Sequence, residues 1–316
     1  MMNVSVLVPS YNHAPFVEQT LRSIFAQTSP PEKLIVIDDG SKDESAEIIE
    51  KVLRDCPFDF EFIKRENRGL CATLNEGFAK TSGDFFAYLG SDDVWLPDFL
   101  ERRVKLLESR PKTVLAFGHS YLIDEENNII DSTENWTDYA SGDILPMLLR
   151  GIIFLSPSVV YRRAALAKHG WNENSILEDY ELYLKLSGAG GEFAFDKTIS
   201  CAWRQHGSNV SGDFPLMLAE WIAAQNRAAG YLKISRGELD KIQTELKFNS
   251  AFDYIRHGKK REAFKLAREN FHGAKSLKQV SKMFLRFIVP QKFFQWNRRR
   301  KQRDAIKNYG KLKLDL

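Results

Sequence analysis

A chain of 316 residues, 43% hydrophobic and 28% charged, is long enough for about two domains and a full core. A mean hydropathy of −0.35 and the lack of any run of about 18 apolar residues speak against intrinsic disorder and an integral membrane protein. The net charge of +3 hides an asymmetry: residues 259–316 hold 18 Lys and Arg against 4 Asp and Glu, leaving 27 against 38 in residues 1–258, which suggests an acidic body with a basic appendage for a polyanionic surface.

The chain opens on Met1-Met2-Asn3-Val4-Ser5 with no basic segment ahead of an apolar stretch, so no signal peptide is expected and the cytosol is the expected compartment. Val4–Val8, Lys33–Ile37, Phe58–Ile63 and Phe85–Leu89 read as strands buried on both faces, with helical segments between them. Phe16, Val17, Thr20, Leu21, Ile24 and Phe25 recur at helical spacing, Ser41-x-x-Glu44 reads as a capping box opening a second helix, and a third covers Leu70–Lys80. Pro97 suits the first position of a fourth helix running to about Ser109. This alternation predicts β-α-β units around a mostly parallel sheet over residues 1–118. Residues 119–213 offer shorter strands at Ser120–Ile123, Ile129–Ile130, Ser158–Tyr161 and Ile199–Arg204 and a helix beginning near Asp179. From 214 to 316 the pattern is almost wholly helical, placing the expected boundary near 213. Cys56, Cys71 and Cys201, odd in number and widely spaced, are expected to be reduced and structural.

Ligands of open α/β sheets bind beyond the carboxyl ends of the strands. Four strand-to-helix turns are unusually polar: Pro9-Ser10-Tyr11-Asn12-His13, Asp38-Asp39-Gly40-Ser41, Glu66-Asn67-Arg68-Gly69 and Gly90-Ser91-Asp92-Asp93. Each alone fits an ordinary turn; at consecutive strand ends they point to a site. No Gly-x-Gly-x-x-Gly follows the first strand and no Gly-x-x-x-x-Gly-Lys-Ser/Thr occurs, so phosphates must be held without a glycine cradle. Asp92 and Asp93 are oxygen ligands suited to Mg²⁺ or Mn²⁺, which commonly takes one or two carboxylates with substrate phosphates.

As a set, Val4-Ser5-Val6-Leu7-Val8-Pro9-Ser10-Tyr11-Asn12, Ile37-Asp38-Asp39-Gly40-Ser41, Asn67-Arg68-Gly69, Asn75-x-Gly77, Gly83-Asp84 and Ser91-Asp92-Asp93 resemble the family 2 glycosyltransferases over about residues 3–210. The resemblance implies a GT-A fold, a mostly parallel sheet flanked by helices, here with a helical C-terminal extension. It implies that Pro9, Tyr11, Asp39, Arg68 and Asp92 bind the nucleotide. Tyr11 would lie against the base, Asp39 would accept from its N3–H, Arg68 would stand nearby and Asp92 near the ribose, with Asp93 on the metal bridging the diphosphate. In Leu177-Glu178-Asp179-Tyr180 the acids also suit a helix N-terminus as such, but the family's Glu-Asp motif stands here. That makes Asp179 the candidate base for the acceptor hydroxyl and Glu178 an acceptor-binding or orienting group. Trp203-Arg204-Gln205-His206-Gly207-Ser208-Asn209 resembles the family's basic loop, with Arg204 toward the pyrophosphate and a neutral His206 completing the metal shell, although a lone His is more often a surface or core residue. His13, His119, His169, His257 and His272 receive no role, and the Asn-x-Ser/Thr matches at Asn3, Asn135 and Asn209 are read as chance. The Gln-x-x-Arg-Trp signature of processive synthases is missing, which favours transfer of a single sugar.

Over 275–288 an apolar stripe of Leu277, Val280, Met283, Phe284, Phe287 and Ile288 opposes Lys275, Lys278, Lys282 and Arg286. After Pro290 the run 292–301 sets Phe293, Phe294 and Trp296 beside four consecutive bases. The first stripe alone fits a helix packed on a core; the aromatics and bases favour an interfacial segment at an anionic membrane over a nucleic-acid patch, for which no module is recognisable. The expected activity is inverting, metal-dependent transfer of one sugar from a nucleotide-sugar, a UDP-sugar in the first instance, to a hydroxyl of a glycan, glycolipid or lipid-linked oligosaccharide, at the inner face of the membrane. The alternative is a noncatalytic nucleotide-binding or nucleic-acid-associated module on the same fold.

Overall fold

A computed structural model describes residues 3–207 and 209–313; Met1, Met2, Ser208 of the basic loop and residues 314–316 lie outside them. In chain order the elements are β1 (Val4–Ser10), α1 (Val17–Phe25), β2 (Lys33–Asp38), α2 (Ser45–Leu53), β3 (Phe60–Lys64), α3 (Leu70–Ala79), β4 (Phe85–Tyr88), β5 (Val94–Trp95), α4 (Phe99–Glu108) and β6 (Thr113–Gly118). There follow β7 (Tyr121–Ile123), β8 (Ile129–Ser132), α5 (Leu145–Leu148), β9 (Val160–Arg162), α6 (Arg163–Leu166), α7 (Glu178–Gly188), β10 (Glu192–Asp196) and β11 (Cys201–Arg204). Five helices close the chain: α8 (Phe214–Leu232), α9 (Arg236–Arg256), α10 (Lys260–Glu269), α11 (Leu277–Ile288) and α12 (Gln291–Tyr309).

Seven strands form the main sheet in the order β10-β6-β9-β4-β1-β2-β3, parallel throughout except for β9, which runs against both its neighbours. Alternate residues of each strand point to opposite faces, so a buried strand feeds two cores. Val4, Val6, Val8, Leu34 and Val36 meet α1, α2 and α4 on one face. Leu7, Ile35, Ile37, Phe86 and Tyr88 meet α3, α7 and α8 on the other. A smaller sheet, β5-β11-β7-β8, is tied to the turn after β4 by the Arg204 amide on Asp93. The strands expected in residues 1–118 are present within two residues; β5, β6 and β10 lie outside those expected.

Two helix starts differ from expectation. Ser41 does not cap α2, because its Oγ accepts from the Asn12 amide at 2.9 Å across the neighbouring turn. Asp43 takes the local role instead, accepting from the Ser45 amide at 3.0 Å, and the helix opens at Ser45. Pro97 lies two residues ahead of α4, where its carbonyl accepts from the Thr28 amide at 2.8 Å. The three cysteines are free, as expected.

Close approach explains Gly77. A Cβ there would stand 2.5 Å from both methyls of the fully buried Leu7, so α3 lies on β1 only with glycine at the crossing. Gly77→Ala is expected to cost about 1–3 kcal/mol through overpacking. Thermal unfolding reads this as a lowered Tm, and an unchanged Tm would show that α3 shifts off β1 freely. Two residues earlier on α3, Asn75 binds the backbone of Trp171 at both ends, Nδ2 to the carbonyl and Oδ1 from the amide, each at 2.9 Å, which ties α3 to the loop before α7.

Directly after position 213, α8 packs Met217, Ala224, Ala228 and Leu232 into the core it shares with α7. The remaining helices gather around a separate cluster of Leu246, Phe248, Ala251, Ile255, Ala263 and Met283. Beyond α12 the chain returns to the small sheet, where Leu312 donates its amide to the Asn127 carbonyl at 2.8 Å and is buried beside Ile123 and Ile129. Among the described residues no helix is long and apolar enough to cross a membrane.

Candidate active site

The four polar turns converge at the carboxyl ends of β1, β2, β3 and β4. Pro9 is buried near the end of β1, and Tyr11, just past it, is 43% exposed. Asn12 follows with φ +55°, a left-handed conformation that Asn tolerates. Its Oδ1 accepts from the Lys42 amide at 2.8 Å, joining the first turn to the second. Gly40 at φ +79° lets the third turn approach, since a Cβ would stand 2.8 Å from the Asn67 amide.

Asp39 is the centre of this half. One carboxylate oxygen accepts from the Arg68 amide at 2.9 Å and the other from the Gly69 amide at 2.8 Å, while Arg65 pairs with it at 2.8 Å. These donors fix the carboxylate's orientation, and Oδ2, with a single protein donor, keeps a lone pair. Arg65 was not among the expected site residues; its signal was its place immediately after β3. The Arg68 side chain turns outward and pairs with Glu76 at 3.2 Å.

After β4 the two acids separate in role. The Asp92 carboxylate accepts from His206 Nε2 at 2.9 Å and has His13 Nδ1 at 3.8 Å, while His13 also meets Ser91 Oγ at 2.8 Å. Ligand atoms of His13, Asp92 and His206 all lie within 4.8 Å of one another. Two imidazoles and a carboxylate are a donor set suited to a divalent metal. His13, given no role by the sequence, thus belongs to the site, brought there by the β1–α1 turn. Asp93, expected on the metal, instead turns inward and accepts from the Arg204 amide at 2.9 Å. Burial raises the Asp92 carboxyl, but the His206 hydrogen bond and the two imidazoles outweigh it and hold it below the ordinary range. Asp93 is pushed well above that range by burial and by the Asp92 charge.

Arg204, expected to face a pyrophosphate, is fully buried. Its Nε donates to the Asp92 carbonyl at 2.8 Å, Nη1 to the Asp124 carbonyl and Asn127 Oδ1 at 2.9 and 2.8 Å, and Nη2 to Gln19 at 2.7 Å. Four of its five N–H groups are spent inside the protein in this way, and they hold the Asp92–Asp93 turn in place.

Glu178 and Asp179 open α7 and reach the same end of β4. The Tyr88 hydroxyl at the end of β4 donates to Glu178 at 3.2 Å. A helix N-terminus favours ionised acids, yet burial wins. It raises the Asp179 carboxyl to about 6 against its backbone hydrogen bonds, and burial with the Asp179 charge raises Glu178 to about 8. By contrast Glu181, one turn on, is held low despite burial by Asn172, Lys185 and Arg227, and is structural.

Two cavities lie on the C-terminal helices. The pattern of glycosyl transferase family 2 matches residues 5–170. An uncharacterised glycosyltransferase of Nostoc sp. is 30% identical over 171 residues, 53% of this chain and 53% of its own, so the chain spans about half the length of that relative. Among solved structures, the mannosyltransferase PcManGT from Pyrobaculum calidifontis in complex with GDP-Man and Mn²⁺ superposes with a TM-score of 0.62 at 16% identity, covering 97% of this chain and 86% of that one. TarS from S. aureus in complex with UDP-GlcNAc gives 0.58 at 16% identity, covering 98% and 90%. These likenesses establish the GT-A fold, and the match over more than half the sequence establishes the family: the chain belongs to glycosyl transferase family 2.

Proposed function

We propose that the protein moves one sugar, with inversion, from a nucleoside-diphosphate sugar to a hydroxyl of a glycan or glycolipid, using Mg²⁺ or Mn²⁺. The observation that carries this reading is the junction at the end of β4. There Glu178 meets Tyr88 at the end of β4, with Asp179, a buried carboxyl raised to about 6, next to it on α7, and the turn that follows β4 carries Asp92 of the cluster with His13 and His206. A base poised near the working pH, joined through one strand to a divalent-cation donor set, suits displacement of a diphosphate by a hydroxyl.

Tyr11 offers an exposed ring for a nucleobase, and Asp39 offers its free lone pair to a base N–H, which uracil, thymine and guanine all supply. Arg65 and the two amides hold that carboxylate in place. His13, Asp92 and His206 would hold the cation, which when bound offsets negative charge on the leaving diphosphate. Asp179 takes the acceptor proton as the hydroxyl attacks the anomeric carbon, and Glu178, tethered by Tyr88, orients the acceptor. The solved relatives' complexes with GDP-Man, Mn²⁺ and UDP-GlcNAc support a nucleotide-sugar donor and a metal.

A panel of nucleotide-sugars with Mn²⁺, read first by thermal shift and then by release of nucleoside diphosphate, tests the reading. One donor class should raise the Tm and turn over. Tight nucleotide binding without hydrolysis or transfer by any donor would favour the noncatalytic alternative.

A further inference from the structure

We propose that the outward faces of α11 and α12 form a docking surface for an anionic lipid bilayer, a property beyond sugar transfer and independent of it. The apolar arc of α11 is wider than the body covers. Val280, Met283 and Phe287 pack on the C-terminal cluster. Leu277, Leu285 and Ile288 remain 87%, 64% and 78% exposed, with Phe284 beside them. A row of large aliphatic side chains held in water on one helix marks an interaction face.

The charge around this row is of one sign. Lys278 and Lys282 border Leu285 on α11, which carries no acid. Lys275 and Arg286 do not contribute, because the first pairs with Glu245 and the second lies over the Phe252 ring. On α12 the half-exposed rings of Phe293 and Trp296 pack 5.9 Å apart. At 100° per residue, Lys292, Arg299, Arg300 and Arg303 fall with them within an arc of about 120°. The one acid of α12, Asp304, pairs with Arg300 at 3.8 Å, and Arg300 also lies over the Trp296 ring, which leaves Lys292, Arg299 and Arg303 as the bases of this face. Between α10 and α11 an open cavity of about 390 Å³ is lined by Phe264, Phe284 and Phe287, with Lys260 and Arg261 at its polar side. That is an apolar slot with cationic neighbours.

Aliphatic side chains on α11, with an aromatic pair and bases on the outward face of the helix that follows it, are the chemistry of a headgroup and acyl-chain boundary. Nucleic acid would use the bases and the aromatics but leave Leu277, Leu285 and Ile288 in water. A second copy of the surface would bring two like-charged faces together. The acidic body, repelled by the same bilayer, would stand away from it, and the return of the chain after α12 to the small sheet fixes the body's attachment to the docked helices.

The test is co-sedimentation of the full chain with vesicles of phosphatidylglycerol and phosphatidylcholine, against pure phosphatidylcholine, at low and high salt. Binding is expected to the anionic vesicles only and to weaken with salt. Leu285→Ser with Ile288→Ser should lower the partition constant by about tenfold or more per residue, and Arg299→Gln with Arg303→Gln by about fivefold per base. These side chains are exposed, so Tm should hold. Trp296 fluorescence, compared with Trp296→Phe, should be quenched by brominated lipid, a readout on the unaltered surface. Equal binding to neutral vesicles, no Trp296 quenching, or tighter binding to RNA than to anionic vesicles would overturn the proposal. So would a dimer that the serine variants dissociate while vesicle binding is nil.

Discussion

Asp179→Asn is expected to fold, to bind donor, and to lose sugar transfer by about 10²–10⁴-fold, the range in which a positioned base contributes. Asn keeps the shape and the hydrogen bonds at the start of α7 but cannot accept the acceptor's proton. Because burial raises the carboxyl to about 6, turnover of the parent should fall as pH drops below about 6, and the residual activity of the variant should lack that limb. The same burial makes a stability prediction whose sign is definite. A carboxyl raised in the native state favours folding while protonated, below its unfolded value, and this contribution is lost as pH rises through about 6. At pH 8 Asp179→Asn should therefore unfold at a higher temperature than the parent, with the difference gone near pH 4. Single-turnover kinetics and thermal unfolding across pH check both halves. If Glu178→Gln removed turnover and Asp179→Asn did not, the two acids would exchange roles.

Chelation is expected to abolish transfer, and Asp92→Asn to reproduce that loss without chelator. Its carboxylate is the anionic member of the cluster with His13 and His206, so its removal should weaken Mn²⁺ by more than about 100-fold, beyond what removal of a supporting residue costs. Asp93→Asn should keep metal binding, because that carboxyl faces the Arg204 amide. Mn²⁺ titration followed by electron paramagnetic resonance on the enzyme alone separates the two variants without reference to activity. Full turnover in EDTA, or metal loss from Asp93→Asn with retention in Asp92→Asn, would refute the assignment.

The parallel half of the fold was legible because its strands are continuous apolar runs and its helices carry a clear period. Beyond residue 118 the signals weaken: β5 has two residues, and β10 reads Glu192-Phe193-Ala194-Phe195-Asp196, too short to stand out between a helix and a loop. The strand-end acids were visible as residues, but not the direction each side chain takes. Asp92 and Asp93 differ in sequence by one position and in structure by which side of the turn they face. Which of them meets His206 depends on Arg204, more than 100 residues away, and a pattern of spacing carries no information about that. His13 was hidden for the same reason, its neighbours being supplied by β4 and the loop after β11. The amphipathic reading of α11 gave the apolar residues but not their division between the body and the outside.

The buried guanidinium of Arg204 also bears on how this chain can diverge. Hairpin tips such as that between β7 and β8 are ordinarily where insertions accumulate. Here the Asp124 carbonyl and the Asn127 side chain are both bound to Arg204, and the Asn127 carbonyl receives Leu312. Lengthening the tip by one residue would break the support of the Asp92 turn and the anchorage of the C-terminal segment together. Variation in length among descendants of this sequence should therefore spare residues 124–127, and collect in stretches such as 136–144 that carry no bond to this arginine.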